Sequence, residues 1–142
     1  MHTLTERFID MYQQLGKDNL SVLKQVYHPQ VHFTDPLHAL QGLDKLEDYF
    51  AAMYANVSSI EFQILDTFDV NDNAFVYWDM RFTHKHLNQG KDVWVKGHSH
   101  LRFSDNKVIY HHDYFDAAAM LYRHIPVLKH MIKLIDKRVA NS

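Results

Sequence analysis

Apolar residues recur every three or four positions in the first third of the chain and every second position in its middle. "LTERFIDMYQQLG" puts Leu4, Phe8, Met11, Tyr12 and Leu15 on one side. That spacing predicts a helix, with Thr3 or Thr5 as its cap and Gly16 as its stop. "DNLSVLKQVY" predicts a second, short helix that groups Leu20, Leu23 and Val26, is capped by Asp18 or Asn19, and ends at Pro29. "VHFTDP" predicts a short strand closed by an Asp-Pro turn. "GLDKLEDYFAAMYANV" predicts a third helix with Leu43, Leu46, Tyr49, Phe50 and Met53 as its apolar stripe.

The period then switches. "IEFQILDTFDV", "AFVYWDMRFTHK" and "VWVKGHSHLRF" alternate as half-buried strands do, and "VIYHHDYF" closes the set. Asp72-Asn73, "NQGK" and Asp105-Asn106 are the turn signals between them. Strands joined so closely predict an antiparallel meander. A last helix is expected over about 125–139, with Pro126 in its first turn. Helices followed by a run of strands predict one α+β domain spanning 1–142. In it the helices pack on one face of a curved antiparallel sheet, enclosing a cone that can hold an apolar ligand.

Composition narrows the classes of function. The 142 residues carry a net charge of −2, which gives no electrostatic case for nucleic acid. No apolar run approaches the roughly 20 residues that span a bilayer. The N-terminal stretch lacks the charged-then-apolar design of a signal peptide. There is no cysteine, hence no disulfide or thiolate metal site, and a reducing cytoplasm fits.

Candidate chemistry concentrates in "KGHSHLRFSDNKVIYHHDYFD". Along its first strand Val95, Gly97, Ser99, Leu101 and Phe103 share the apolar face; Trp94, Lys96, His98, His100 and Arg102 share the other. The second strand depends on the turn. A two-residue turn sets His100 opposite His111 and His98 opposite Asp113, a ligand set suited to a metal. A three-residue turn, Ser104–Asn106, sets Ser99 opposite His111, Gly97 opposite Asp113 and His98 opposite His112. The three-residue turn is preferred, because two-residue turns favour Asn-Gly or Asp-Gly and because it groups Leu101 and Phe103 with Ile109 and Phe115. No metal is then expected. Ser99, His111 and Asp113 point inward with Asp35, among walls from Val76, Trp78, Met80, Phe82, Tyr49 and Met53. The outer face, with His98, His100, His112, Trp94, Phe75 and Tyr77, reads as a surface for a second subunit.

Two segments, "VYHPQVHFTDPLHALQGLDKLEDYFAAMY" and "HSHLRFSDNKVIYHHDYF", resemble the nuclear transport factor 2-like superfamily. Its members include ketosteroid isomerases, SnoaL-like polyketide cyclases and limonene epoxide hydrolases. The resemblance covers about residues 4–116. It implies a cone-shaped α+β barrel that dimerises through the outer sheet face. It sets Asp35 at the position of the isomerases' general base. Their oxyanion tyrosine falls on Met11, with Tyr12 one position away, and their second aspartate falls on Ser99. Their pocket positions on the last strand fall on Ile109, His111, Asp113 and Phe115.

The expected function is binding of a small, largely apolar metabolite, with cofactor-independent isomerase, cyclase or hydrolase chemistry. Asp35 would act as the base, with His111 and Asp113 as its catalytic partners. Ser99, Tyr12, Tyr49, Met53, Trp78, Met80 and Phe115 would contact the ligand. The alternatives are a non-catalytic binding protein and an accessory dimer. The basic amphipathic C-terminal helix is expected to cover its own pocket or a partner subunit rather than a membrane.

Overall fold

The structure, a computed structural model, describes residues 3–120 and 126–141. Helix α1, Leu4–Gln14, starts where the Thr3 hydroxyl accepts the Glu6 N–H at 3.1 Å, and it buries Phe8 and Met11. A 3₁₀ turn at Leu20–Val22 leads into the short α2, Leu23–Val26. Strand β1, Tyr27–Thr34, follows at once. Pro29 therefore lies inside a strand instead of ending a helix. It falls where the pairing of β1 breaks between Tyr27 and His32, so its missing N–H interrupts no ladder. Strand β2, Ala39–Gln41, and α3, Leu43–Asn56, come next. Gly42 precedes α3 at φ +98, a conformation that glycine adopts without strain.

The meander is β3, Val57–Val70; β4, Asn73–His84; β5, Val93–Ser104; and β6, Lys107–Phe115. The sheet order is β2-β1-β6-β5-β4-β3. The α+β class holds, and β3 through β6 are antiparallel as expected. The sheet as a whole is mixed rather than antiparallel, because β1 lies parallel to β6. That pairing joins segments far apart in the chain, which local patterning does not encode. The sheet stays open, with β2 and β3 at its edges.

The β5–β6 connection differs from the expected three-residue turn. Ser104 pairs with Lys107, and Asp105 and Asn106 both take left-handed backbone at φ 56 and 62. This is a two-residue turn of the kind that matches strand twist. One residue later the ladder slips: Phe103 pairs with Val108 but Arg102 pairs with Tyr110, leaving Ile109 as a bulge. The extra residue restores the parity that the shorter turn had changed. Ser99 thus opposes Asp113, Leu101 opposes His111, His100 opposes His112 and His98 opposes Tyr114. Val108, fully buried, takes the core position expected of Ile109.

The core lies between this face and the helices, around Leu23, Tyr27, Val31, Leu46, Val93 and Leu101, each fully buried. Two further helices follow, α4 at Ala117–Met120 and α5 at Pro126–Ala140. Residue 125, the expected helix start, lies outside the described residues. Met131, Leu134, Ile135 and Val139 of α5 are exposed. Among the described residues no helix is long and apolar enough to cross a membrane.

Candidate functional site

Between the inner sheet face and helices α1 and α3 lies a cavity of about 380 Å³, mostly apolar and aromatic. It falls within the roughly 300–1,000 Å³ of small-molecule sites. Asp35, His111 and Asp113 line it, as do Ser99, Tyr12, Tyr49, Met53, Trp78, Met80 and Phe115. Ile109 does not.

Asp113 and His111 form its buried polar centre. His111 is 1% exposed, and its Nε2 lies 2.6 Å from Asp113 Oδ1. A carboxylate can only accept, so Nε2 donates to it, and in the singly protonated ring that leaves Nδ1 as an acceptor. In that tautomer the Tyr27 hydroxyl donates to Nδ1 at 2.7 Å, and Tyr12 in turn donates to Tyr27 at 2.6 Å. On the other side the Ser99 hydroxyl donates to the same Asp113 oxygen at 2.5 Å, while Trp78 Nε1 donates to Ser99 at 3.0 Å. Gly97 makes the Trp78 position possible: a Cβ there would sit 2.5 Å from the indole ring. One chain of hydrogen bonds thus runs from Trp78 to Tyr12, and among the described residues Asp113 Oδ2 is the carboxylate oxygen in it without a hydrogen bond.

Asp35 is set differently. It is 7% exposed and ends β1 in a tight turn. Its Oδ1 accepts the backbone N–H groups of Leu37 at 2.8 Å and His38 at 2.7 Å, and His38 Nδ1 at 3.1 Å. Its Oδ2 accepts the Tyr49 hydroxyl at 2.9 Å. Both oxygens of the aspartate expected to be the base are therefore engaged. The His38 ring meets Tyr49 edge-on at 4.7 Å, closing the polar rim.

Burial holds the tyrosines of the site in their neutral form. Tyr12 and Tyr27 are pushed well above the usual phenol range, Tyr12 also by the neighbouring Tyr27 and by Asp113. Tyr49 is raised by burial and then by the Asp35 charge. Burial alone pushes Tyr54 up to about 12. Among the described residues the buried Tyr54 hydroxyl has no hydrogen-bond partner.

Sequence reasoning missed Tyr27, His38 and Tyr54. Tyr27 sits in a stretch read as the end of a helix. The "DPLH" spacing offered the signal for His38, since a turn aspartate often caps the backbone two and three residues on.

The remaining histidines lie across the sheet. Tyr77, His98, Tyr114 and His112 form a stack of near-parallel rings, 4.8, 4.9 and 4.0 Å apart in turn. His100 stacks on Phe75 at 4.5 Å. Its proton affinity is lowered by burial, then by Arg102 and its neighbouring histidines. His98 and His100 occupy the outer face, whereas His111 and Asp113 occupy the inner one, so the four do not meet. Among the described residues no three His, Asp or Glu side chains converge as a metal site.

A SnoaL-like domain model matches residues 6–111 of the 142. No curated protein is similar to the chain by sequence. Solved structures share the fold. One is an NTF2-like protein of unknown function from Burkholderia pseudomallei, 17% identical, covering 88% of this chain and 98% of its own, with a TM-score of 0.76. A putative SnoaL-like polyketide cyclase from Jannaschia is 15% identical, covers 82% and 90%, and scores 0.71. An epoxide hydrolase from Mycobacterium tuberculosis, similar to limonene epoxide hydrolase, is 15% identical, covers 88% and 91%, and scores 0.68.

Proposed function

The chain belongs to the SnoaL-like domain family, and from that premise we propose that it binds a small, largely apolar molecule and moves a proton on it without a cofactor. Asp113 is the base in this reading. The observation that carries it is Asp113 Oδ2, without a hydrogen bond among the described residues, on a carboxylate whose other oxygen is held by His111 and Ser99 beside an apolar cavity. Such an arrangement orients the carboxylate and leaves its lone pairs for a substrate proton or a water. His111 acts as the orienting partner.

Asp35, the base in the isomerases that the sequence resembles, serves here to position Tyr49 and His38 at the rim, since its own oxygens are occupied. Isomerase, cyclase and hydrolase chemistry all begin with such a proton transfer. The cyclase and hydrolase among the structural neighbours are consistent with that range.

The test is exchange of the α-protons of 2-tetralone in heavy water, followed by NMR. The protein should accelerate it, and Asp113→Asn should lower the acceleration by about 100-fold, the scale of a lost general base. Loss on Asp35→Asn instead would return the base to Asp35. Binding without acceleration would favour the non-catalytic reading.

A second copy of the chain is the proposed partner of the outer sheet face. Trp94, Tyr77, Tyr114 and Phe68 are exposed there at 59, 41, 44 and 53%. Sedimentation of a Trp94→Lys variant as a monomer, against a wild-type dimer, would support this.

A further inference from the structure

The donors around the cavity are spent on its own carboxylates. Asp35 consumes the N–H groups of Leu37 and His38, the His38 ring proton and the Tyr49 proton. Asp113 consumes the protons of Ser99 and His111 Nε2. Trp78 gives its proton to Ser99, Tyr27 to His111 and Tyr12 to Tyr27. What remains is neutral. Tyr54 keeps a free hydroxyl. His84, at the end of β4, already accepts the His86 N–H at Nδ1, and burial together with His86 and Lys85 lowers its affinity for a further proton. No lysine or arginine is among the described residues that line the cavity.

We infer that the cavity selects uncharged ring-bearing ligands with a carbonyl or hydroxyl group, and excludes carboxylates and phosphorylated compounds. This rests on the reading of the cavity as a ligand site and names the class of molecule it takes. Among the described residues, an anion in the cavity would meet two carboxylates, no lysine or arginine, and one unspent donor, the Tyr54 hydroxyl. In a half-enclosed apolar space that repulsion is weakly screened. A neutral ketone or phenol meets no such opposition. Its ring packs on Phe50, Phe62 and Trp78, and its oxygen can take the proton of Tyr54. The two aspartates thereby act as a charge filter as well as carrying chemistry.

The experiment is calorimetric titration at neutral pH with three probes of one shape: 2-acetylnaphthalene, 2-naphthol and 2-naphthoate. The two neutral probes should bind the wild-type protein, with the naphthoate at least about 100-fold weaker, the scale of one weakly screened like-charge contact. In Asp113→Asn the naphthoate should gain about tenfold or more, while 2-acetylnaphthalene changes by less than about threefold. Naphthoate binding within tenfold of the ketone in the wild-type protein overturns the filter while leaving the ligand site intact. So does an Asp113→Asn protein in which naphthoate gains nothing. If none of the three probes binds, the reading of the cavity as a ligand site falls, and the filter falls with it. The wild-type ranking suffices by itself should the variant fold poorly.

Discussion

The β5–β6 hairpin carries the same residue types on its two faces, under opposite rules. Inside, His111 is buried and each ring nitrogen has one partner, at 2.6 and 2.7 Å. Outside, His98 and His112 are half-buried and stack on Tyr114 at 4.9 and 4.0 Å. Burial makes the difference. A buried polar atom without a partner costs roughly 1–3 kcal/mol, so the inner histidine is fixed in geometry and tautomer. The outer rings are held more loosely, His112 Nδ1 sharing one longer hydrogen bond with the Tyr110 hydroxyl at 3.2 Å.

The strongest way to break this contrast is His111→Leu. It takes one partner from Asp113 Oδ1 and one from the Tyr27 hydroxyl, inside the buried chain of hydrogen bonds. We expect a loss of more than about 3 kcal/mol in denaturant unfolding, because two polar groups lose a partner and one of them is a carboxylate; a variant that unfolds like the wild type would disprove the constraint on the inner face.

A smaller effect separates the two faces directly. Tyr27→Phe leaves His111 Nδ1 and the Tyr12 hydroxyl without their partner and should cost about 1–3 kcal/mol in denaturant unfolding. His112→Ala, on the outer stack, should cost less than about 1 kcal/mol. Equal losses would erase the distinction.

A separate effect appears at alkaline pH. Tyr12, Tyr27, Tyr49 and Tyr54 are all raised in the folded protein above the ordinary value of 10.0. The unfolded chain releases these protons first. Stability is therefore full below pH 10.0 and falls as pH rises through the folded values, that of Tyr54 being about 12. Unfolding free energies that stay flat across that window would contradict the burial of these hydroxyls.

Much of this was legible in the sequence and some was not. The switch of period from helix to strand marks the α+β order, and the alternation in "VWVKGHSHLRF" separates Ser99 from His98 and His100. The turn was misjudged because Asp105-Asn106 lacks glycine, yet both residues take left-handed backbone, which Asp and Asn tolerate better than most. The bulge leaves no mark in composition. The parallel pairing of β1 with β6 is likewise invisible locally, and with it the meeting of Tyr27 and His111, 84 positions apart. Asp35 was recognised by resemblance, but its four donors come from a turn and a helix whose relation only the fold specifies.

The most direct measurement is nitrogen-15 NMR of the histidine rings in the ligand-free protein at neutral pH. His111 should appear as a single neutral tautomer, protonated at Nε2 and unprotonated but hydrogen-bonded at Nδ1. His98, on the outer face, should show an exchange-averaged ring. A His111 ring protonated at Nδ1, or averaging like His98, would contradict the Tyr12–Tyr27–His111–Asp113 chain on which the account of this site stands.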